Sequence, residues 1–243
     1  MGNYEAMMKK ILEQEFGKMN AWQAWAYIIN AMAIGLSNAL DPDPVRKGMR
    51  EKEYMDCIQR LDNKNAPAEV LGVITLAFEE NPNQDFLGKM FMALGLGSHW
   101  HGQFFTPYHL AAGMADVSID EGKAKDEIVR KGFISIADCA CGAGATLIGA
   151  VEALKKRNID YQNDVCFVAN DLDRTTAQMC FIQLSLLGCA GYVTVADGLS
   201  NPVEGDVLFP KDGGQEFWFT PMWWSDPWKL RRALQRGVRD GRQ

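Results

Sequence analysis

Residues 135–150 read SIADCACGAGATLIGA: an apolar run ending on Asp138, a turn carrying Gly142 and Gly144, and a helix beginning near Ala145. Glycines in such a turn let the backbone reach positive φ and approach a ligand closely. A lone G-x-G pair marks only a turn, but two later stretches add chemistry to it. In FVANDLD, Asp171 closes the next apolar run 27 residues beyond Gly144, where a carboxylate can accept hydrogen bonds from two ribose hydroxyls. In TVADGLS, Asp197 closes a third run. Three carboxylates at successive strand ends suit a nucleoside cofactor with hydroxyls and cationic centres better than a pyrophosphate.

The cysteines raise a metal site as the alternative. Cys139 and Cys141 are one residue apart, and no Cys-x-x-Cys or His pair supplies the other half of a zinc site. They read as small packing residues, and Cys166, Cys180 and Cys189 as strand or helix core. DLDRTTAQMCFI opens like a calcium loop, yet it lacks the central glycine and has Ile182 where the bidentate glutamate belongs. His99 and His101 have no Cys or acidic partner nearby and read as loop or packing residues. No metal is expected.

The elements that must hold these residues follow from periodicity. GFISIA (132–137), VCFVAN (165–170), YVTVA (192–196) and EFWFT (216–220) are β-type runs, with helical patterns at about 145–157 and 174–188 between the first three. Such alternation predicts parallel strands with helical crossovers, and ligands at their carboxyl ends. From Tyr4 to about Ser37, Met19, Trp22, Trp25, Ala26, Ile29, Met32, Ala33 and Leu36 recur at helical spacing as packing surface. The prolines of DPDP (41–44) stop any helix there. A helical pair at 45–62 and 67–80 follows, and then a loop in which Asp85 can cap the next helix.

At 243 residues, 47% of them hydrophobic, the chain can bury a core the size of a catalytic domain with a small addition. The net charge of −6 argues against a basic coat over the whole surface but leaves a local basic patch open. Six cysteines without paired spacing and no secretory signal point to a reducing compartment. The segment from Ala21 to Leu36 is interrupted by Gln23 and Asn30 and is short for a membrane span. A soluble cytoplasmic protein with no membrane partner is expected.

The motifs taken together resemble the adenine-N6 DNA methyltransferases found as modification subunits of type I restriction systems. GQFFTPYHLAAGMA (102–115) is similar to the family's motif before the first strand, and DFLGKMFMALG to the segment upstream of it. ADCACGAGATL resembles D-P-A-C-G-S-G with Cys139 in place of proline, and ANDLD and ADGLS occupy the next two motif positions. The resemblance covers roughly residues 84–200. It implies an α/β, Rossmann-like fold that binds S-adenosylmethionine, with an N-terminal helical region (1–83) and a methyltransferase-like domain (84–243). It implies that Phe105, Thr106 and Pro107 lie on the methionine side of the cofactor, that Asp138, Ala140, Gly142 and Gly144 form its turn, that Asp171 holds the ribose, and that Asp197 meets the adenine amino group.

The family's fourth motif, [N/D/S]-P-P-[Y/F/W], holds the target amine and stacks on a base flipped out of the duplex. Its nearest match in place is TPMW, with Thr220 as the hydroxyl acceptor, Pro221 retained, Met222 for the second proline and Trp223 as the stacking face. SDPW (225–228) is a second candidate. SNPV (200–203) comes early and lacks an aromatic residue. The chain ends 20 residues past Trp223, so a truncated sheet is expected, with a homo-oligomer or companion subunit covering its open edge near Trp224 and Trp228. The tail carries Lys229, Arg231, Arg232, Arg236, Arg239 and Arg242 against Asp240, and reads as a solvated helix end before a phosphate grip. Two functions are implied: a DNA adenine-N6 methyltransferase, with RNA as the alternative target, or a degenerate S-adenosylmethionine-binding protein acting as a partner subunit on nucleic acid.

Overall fold

Asn20, Asp43, Asp85, Asp120 and Asp173 each accept a backbone N–H from two or three residues ahead, and each starts a helix. The computed structural model describes residues 2–98 and 105–240. Its helices are α1 (Tyr4–Glu13), α2 (Ala21–Leu40), α3 (Pro44–Arg60), α4 (Ala66–Glu80), α5 (Phe86–Ala93), α6 (Tyr108–Ser118), α7 (Glu121–Lys131), α8 (Ala145–Lys156), α9 (Arg174–Leu186) and α10 (Asp226–Asp240). The strands are β1 (Ile134–Asp138), β2 (Val165–Asp171), β3 (Ala190–Val195), a two-residue hairpin β4 (Gly205–Asp206) and β5 (Phe209–Pro210), and β6 (Glu216–Phe219). The helical spacing expected over residues 4–37 is carried by two helices: the chain breaks after Glu13 and restarts where the Asn20 side chain accepts Gln23 N–H. None of the described helices is long and apolar enough to cross a membrane.

The protein is a mixed α/β fold. Its main sheet has the order β1-β2-β3-β6, with the first three strands parallel and β6 antiparallel to β3. Alternate side chains sort onto two faces. Val165, Phe167, Ala169, Val193 and Trp218 face α8, α9 and the N-terminal helices in one continuous apolar cluster. Cys166, Ala190, Tyr192 and Phe217 face a second cluster with Phe133, Leu208, Trp223 and Trp228.

Arg50 and Arg174 fasten the N-terminal helices to the β6 edge. Arg50 lies 3.9 Å over the Trp218 ring and donates to the Phe217 carbonyl at 2.6 Å, which occupies an acceptor on that edge. Burial lowers its pKa to about 10. Arg174 holds both Glu53 and Glu216 in bidentate pairs of 2.6–3.0 Å. The opposite edge is different. Ile134 N–H points to the Asp164 carbonyl on the β2 side, so by alternation Ser135 and Ala137 turn their backbone groups outward, and both residues are exposed.

The direction of β6 separates the TPMW residues from the strand-end carboxylates. Phe219 pairs with Tyr192 and Glu216 with Val195, so the strand runs away from the carboxyl ends of β1–β3. Thr220, Pro221, Met222 and Trp223 therefore lie at the amino ends, where Thr220 N–H bonds the Gly191 carbonyl at 3.0 Å. The six residues of β3 put about 20 Å between Thr220 and Asp197. Trp228 of the second candidate, in the first turn of α10, is also fully buried, its indole N–H bonded to the Gln162 carbonyl at 2.8 Å and its ring edge-on to Phe133.

Candidate functional site

The carboxyl ends of β1, β2 and β3 meet around the glycine turn. Asp138 ends β1 and is drawn into its own turn, accepting from Ala140 N–H at 3.0 Å and from the Thr146 hydroxyl on α8. Asp171 ends β2. Its two carboxylate oxygens accept Gly142 N–H at 2.9 Å and Asp173 N–H at 3.0 Å, which ties the glycine turn to the second strand. Burial raises its pKa, and the backbone donors oppose that shift. Asp197 lies exposed in the loop after β3, and the Ser200 hydroxyl with the backbone N–H groups of Leu199 and Ser200 lowers its pKa.

The turn needs its glycines. Gly142 has φ 55°, and a Cβ there would stand 3.2 Å from the Phe105 ring. Gly144 has φ 101° and backs onto Cys180 at 3.0 Å from the same imaginary atom. Cys141 is buried, and its hydrogen bond with Cys180 together with burial raises its thiol pKa well above normal. Cys139 and Ala140 are exposed in the turn. Among the described residues no three His, Cys, Asp or Glu side chains converge as metal ligands. His99 and His101 lie outside the described residues.

Two large apolar side chains stand open at this polar end. Leu172 follows Asp171 and is 73% exposed; Leu199 follows Asp197 by two residues and is 97% exposed. A flat apolar ring is the kind of group such residues can cover.

The residues expected before the first strand divide. Phe105 packs on Gly142 and, at 5.2 Å, on Phe91 of α5. Thr106 and Pro107 are exposed, and with Phe105 they line a cleft of about 640 Å³ that runs past Asp85, Phe86 and Lys89 to Tyr4 and includes none of the three strand-end carboxylates. The base of that region is held by Gln183 of α9, which donates to the buried Asp85 carboxylate and to the Ala143 carbonyl and accepts Leu87 N–H.

At the far end of the sheet the TPMW side chains are structural. The Thr220 hydroxyl is fully buried, donates to the Cys189 carbonyl at 2.7 Å and accepts Gly191 N–H at 3.1 Å. Trp223 is 3% exposed, packed edge-on against Tyr192 at 5.6 Å and covered by the Arg232 guanidinium at 4.2 Å. Pro221 and Met222 are half-buried beside them. Three of the tail arginines are committed as well. Arg231 donates to the Asn163 carbonyl, Arg232 to the Trp223 carbonyl, and Arg236 lies over Phe209.

SNPV, by contrast, sits at the crevice end. Asn201 N–H donates to the Asp197 carbonyl, and Gln215 donates to the Asn201 side-chain oxygen at 3.0 Å. Sequence reading also passed over Asn170, whose amide joins the loops after β1 and β3. Its signal was its position, one residue before the strand-end carboxylate.

Compared with known protein families, residues 90–232 match the model of the N-6 DNA methylases. The match runs from α5 into α10 and spans every strand and all three carboxylates. A search of the curated proteins returns no match.

Proposed function

The chain belongs to the N-6 DNA methylase family, and from that membership and the crevice we propose that it binds S-adenosylmethionine and serves the methylation of adenine N6 in DNA. The observation that carries the reading is that Asp138, Asp171 and Asp197 follow one another at the carboxyl ends of three adjacent parallel strands, with Asp171 bonded to the glycine turn. On this reading β1–β3 are the core of a Rossmann-like cofactor-binding domain spanning 84–243, braced by the helical region 1–83.

The donor set suits the cofactor. Each Asp171 oxygen already accepts one backbone N–H and keeps a lone pair for a ribose hydroxyl. Asp138 answers the ammonium of the methionine end, Asp197 the adenine amino group, and Leu172 and Leu199 flank the base. Phe105 closes the turn from outside, with Thr106 and Pro107 beside it; Gly142 and Gly144 let the turn fold at positive φ against Phe105 and Cys180, and Ala140 is exposed toward the ligand side. S-adenosylmethionine supplies a methyl group on a good leaving group, so the reaction needs positioning and exclusion of water more than a strong base. The target amine then falls to Asn201 and the Pro202 carbonyl, which lie beyond Asp197 at this end and each keep a lone pair beside the bond they accept from Gln215.

Calorimetry with S-adenosylhomocysteine tests the binding. Asp171→Ala is expected to weaken affinity about ten- to a hundredfold, the worth of hydrogen bonds to a charged acceptor. Binding needs the ionised carboxylate, and burial raises its pKa, so affinity should fall on acidification before an ordinary aspartate would titrate. A folded wild-type chain that does not bind would end the reading. Tritiated S-adenosylmethionine with unmodified DNA and RNA, followed by nucleoside analysis, tests transfer; Asn201→Ala should stop it and spare affinity.

The displacement of TPMW from the crevice favours a second reading, a cofactor-binding subunit on DNA whose target side comes from elsewhere. Binding without transfer to any substrate would select it. A homo-oligomer or companion subunit would then cover the outward backbone groups of Ser135 and Ala137. Light scattering that finds a monomer, with nothing retained in a pull-down, would oppose that.

A further inference from the structure

We propose that Asn170 is the positioning residue of the crevice: one side chain clasps the loops after β1 and β3 to the end of β2. The inference rests on the reading of the crevice as a cofactor site. Asn170 Nδ2 donates to the Cys139 carbonyl at 3.3 Å and to the Ala196 carbonyl at 3.1 Å. Its Oδ1 accepts the Thr194 hydroxyl at 2.9 Å, and its main-chain carbonyl accepts Cys141 N–H at 2.9 Å. The two bridged carbonyls are those of Cys139, the residue after Asp138, and Ala196, the residue before Asp197.

The side-chain type follows from this arrangement. Two N–H donors must point at two different carbonyls while an oxygen on the same carbon receives a hydroxyl. A primary amide of this length meets all three demands. The Cys139 and Ala196 carbonyls, which can only accept, fix which way round the amide lies, and the buried Thr194 hydroxyl, which also reaches the Ala169 carbonyl at 3.2 Å, meets its oxygen. Gly198 completes the fit, because a Cβ there would stand 3.1 Å from Asn170 Nδ2 and 3.5 Å from the Cys139 carbonyl. The Asp197 loop therefore packs directly on the clasp.

The consequence is preorganisation. Loops after strands are mobile when unheld, and a ligand that must order them binds more weakly. With the clasp closed, the Asp138 and Asp197 loops are held before any ligand arrives. The strands themselves are set by the core, so the clasp governs binding more than folding.

Three measurements on Asn170→Ala and Asn170→Asp test this: amide hydrogen exchange, S-adenosylhomocysteine affinity and Tm. Alanine should speed exchange in residues 139–142 and 196–199 together, and lower affinity about ten- to a hundredfold, with Tm close to wild type. Aspartate at neutral pH turns a second acceptor toward two carbonyls; protonation restores one donor. Its affinity deficit relative to wild type should therefore shrink from pH 7 to pH 5, whereas the alanine deficit should not. The titratable groups around the position are Asp138, Cys139, Asp171 and Asp197, and they are common to all three proteins, so the ratio removes them.

Unchanged exchange and affinity in both variants would overturn the proposal. So would an affinity loss that tracks a matching loss of Tm, or an Asp deficit insensitive to pH. If the wild type fails to bind while the two loops still loosen together in Asn170→Ala, the clasp stands and the cofactor reading falls.

Discussion

Gly191→Ala is expected to leave no cooperatively folded protein. Gly191 lies in β3 opposite Phe167 of β2 with φ 153°, and a Cβ built on it would fall 1.8 Å from the Phe167 carbonyl oxygen and 2.7 Å from its carbonyl carbon. Real Cβ atoms do not approach backbone so closely, and neither partner has room to yield. Gly191 also donates to the Thr220 hydroxyl and accepts Thr220 N–H, so moving it disturbs the β3–β6 register as well. Effects beyond about 4–5 kcal/mol are rare for one substitution, and total stability is about 5–15 kcal/mol. Parting the two central strands belongs in that class. Soluble yield and urea denaturation check it; a variant melting within a few degrees of wild type would show that β2 and β3 are not paired in this register.

Trp223→Ala is expected to cost about 3–5 kcal/mol of stability, the range for emptying a buried aromatic site. For a chain of this size that lowers Tm by about 6–20 °C. The indole is packed by Tyr192, Phe219 and Arg232, and all three lose their contact together. Affinity for S-adenosylhomocysteine, measured on the folded fraction well below Tm, should stay near wild type, because the site is about 20 Å from Asp197. Reacting atoms must come within about 3–3.5 Å, so a direct role for Trp223 at this crevice would need a different fourth strand. A variant with unchanged Tm and lost base binding would mean that the ring is exposed and the β6 assignment wrong.

Most local features were legible because their causes are local. Asp85 caps its helix from the next turn, the prolines of DPDP end one helix and let Asp43 start another, and the runs at 134–138 and 165–171 carry the β-branched and aromatic residues that strands favour. The break between α1 and α2 was harder to see, since Phe16 and Met19 continue the apolar spacing and pack on the same core as the helices on either side.

What the sequence determined by itself was the order of elements and the chemistry at the strand ends: Asp138 before a glycine turn, Asp171 and Asp197 after apolar runs, and small residues where the backbone must come close. Capping, periodicity and turn chemistry act over a few residues, and those residues are adjacent in the chain. The tertiary structure alone decided which edge EFWF joins and in which direction. Its alternation buries Trp218 on one face and Phe217 and Phe219 on the other whether it lies beside β1 or β3, parallel or antiparallel, and the 20 residues after Val195 reach either edge. Arg50 on the Phe217 carbonyl, the bidentate hold of Arg174 on Glu216 and the Thr220 latch on Gly191 select the β3 edge and the antiparallel sense. Those partners come from residues 29 to 167 positions apart, a separation over which no local pattern carries information, and with them goes the position of Trp223, at the end of the sheet opposite the carboxylates.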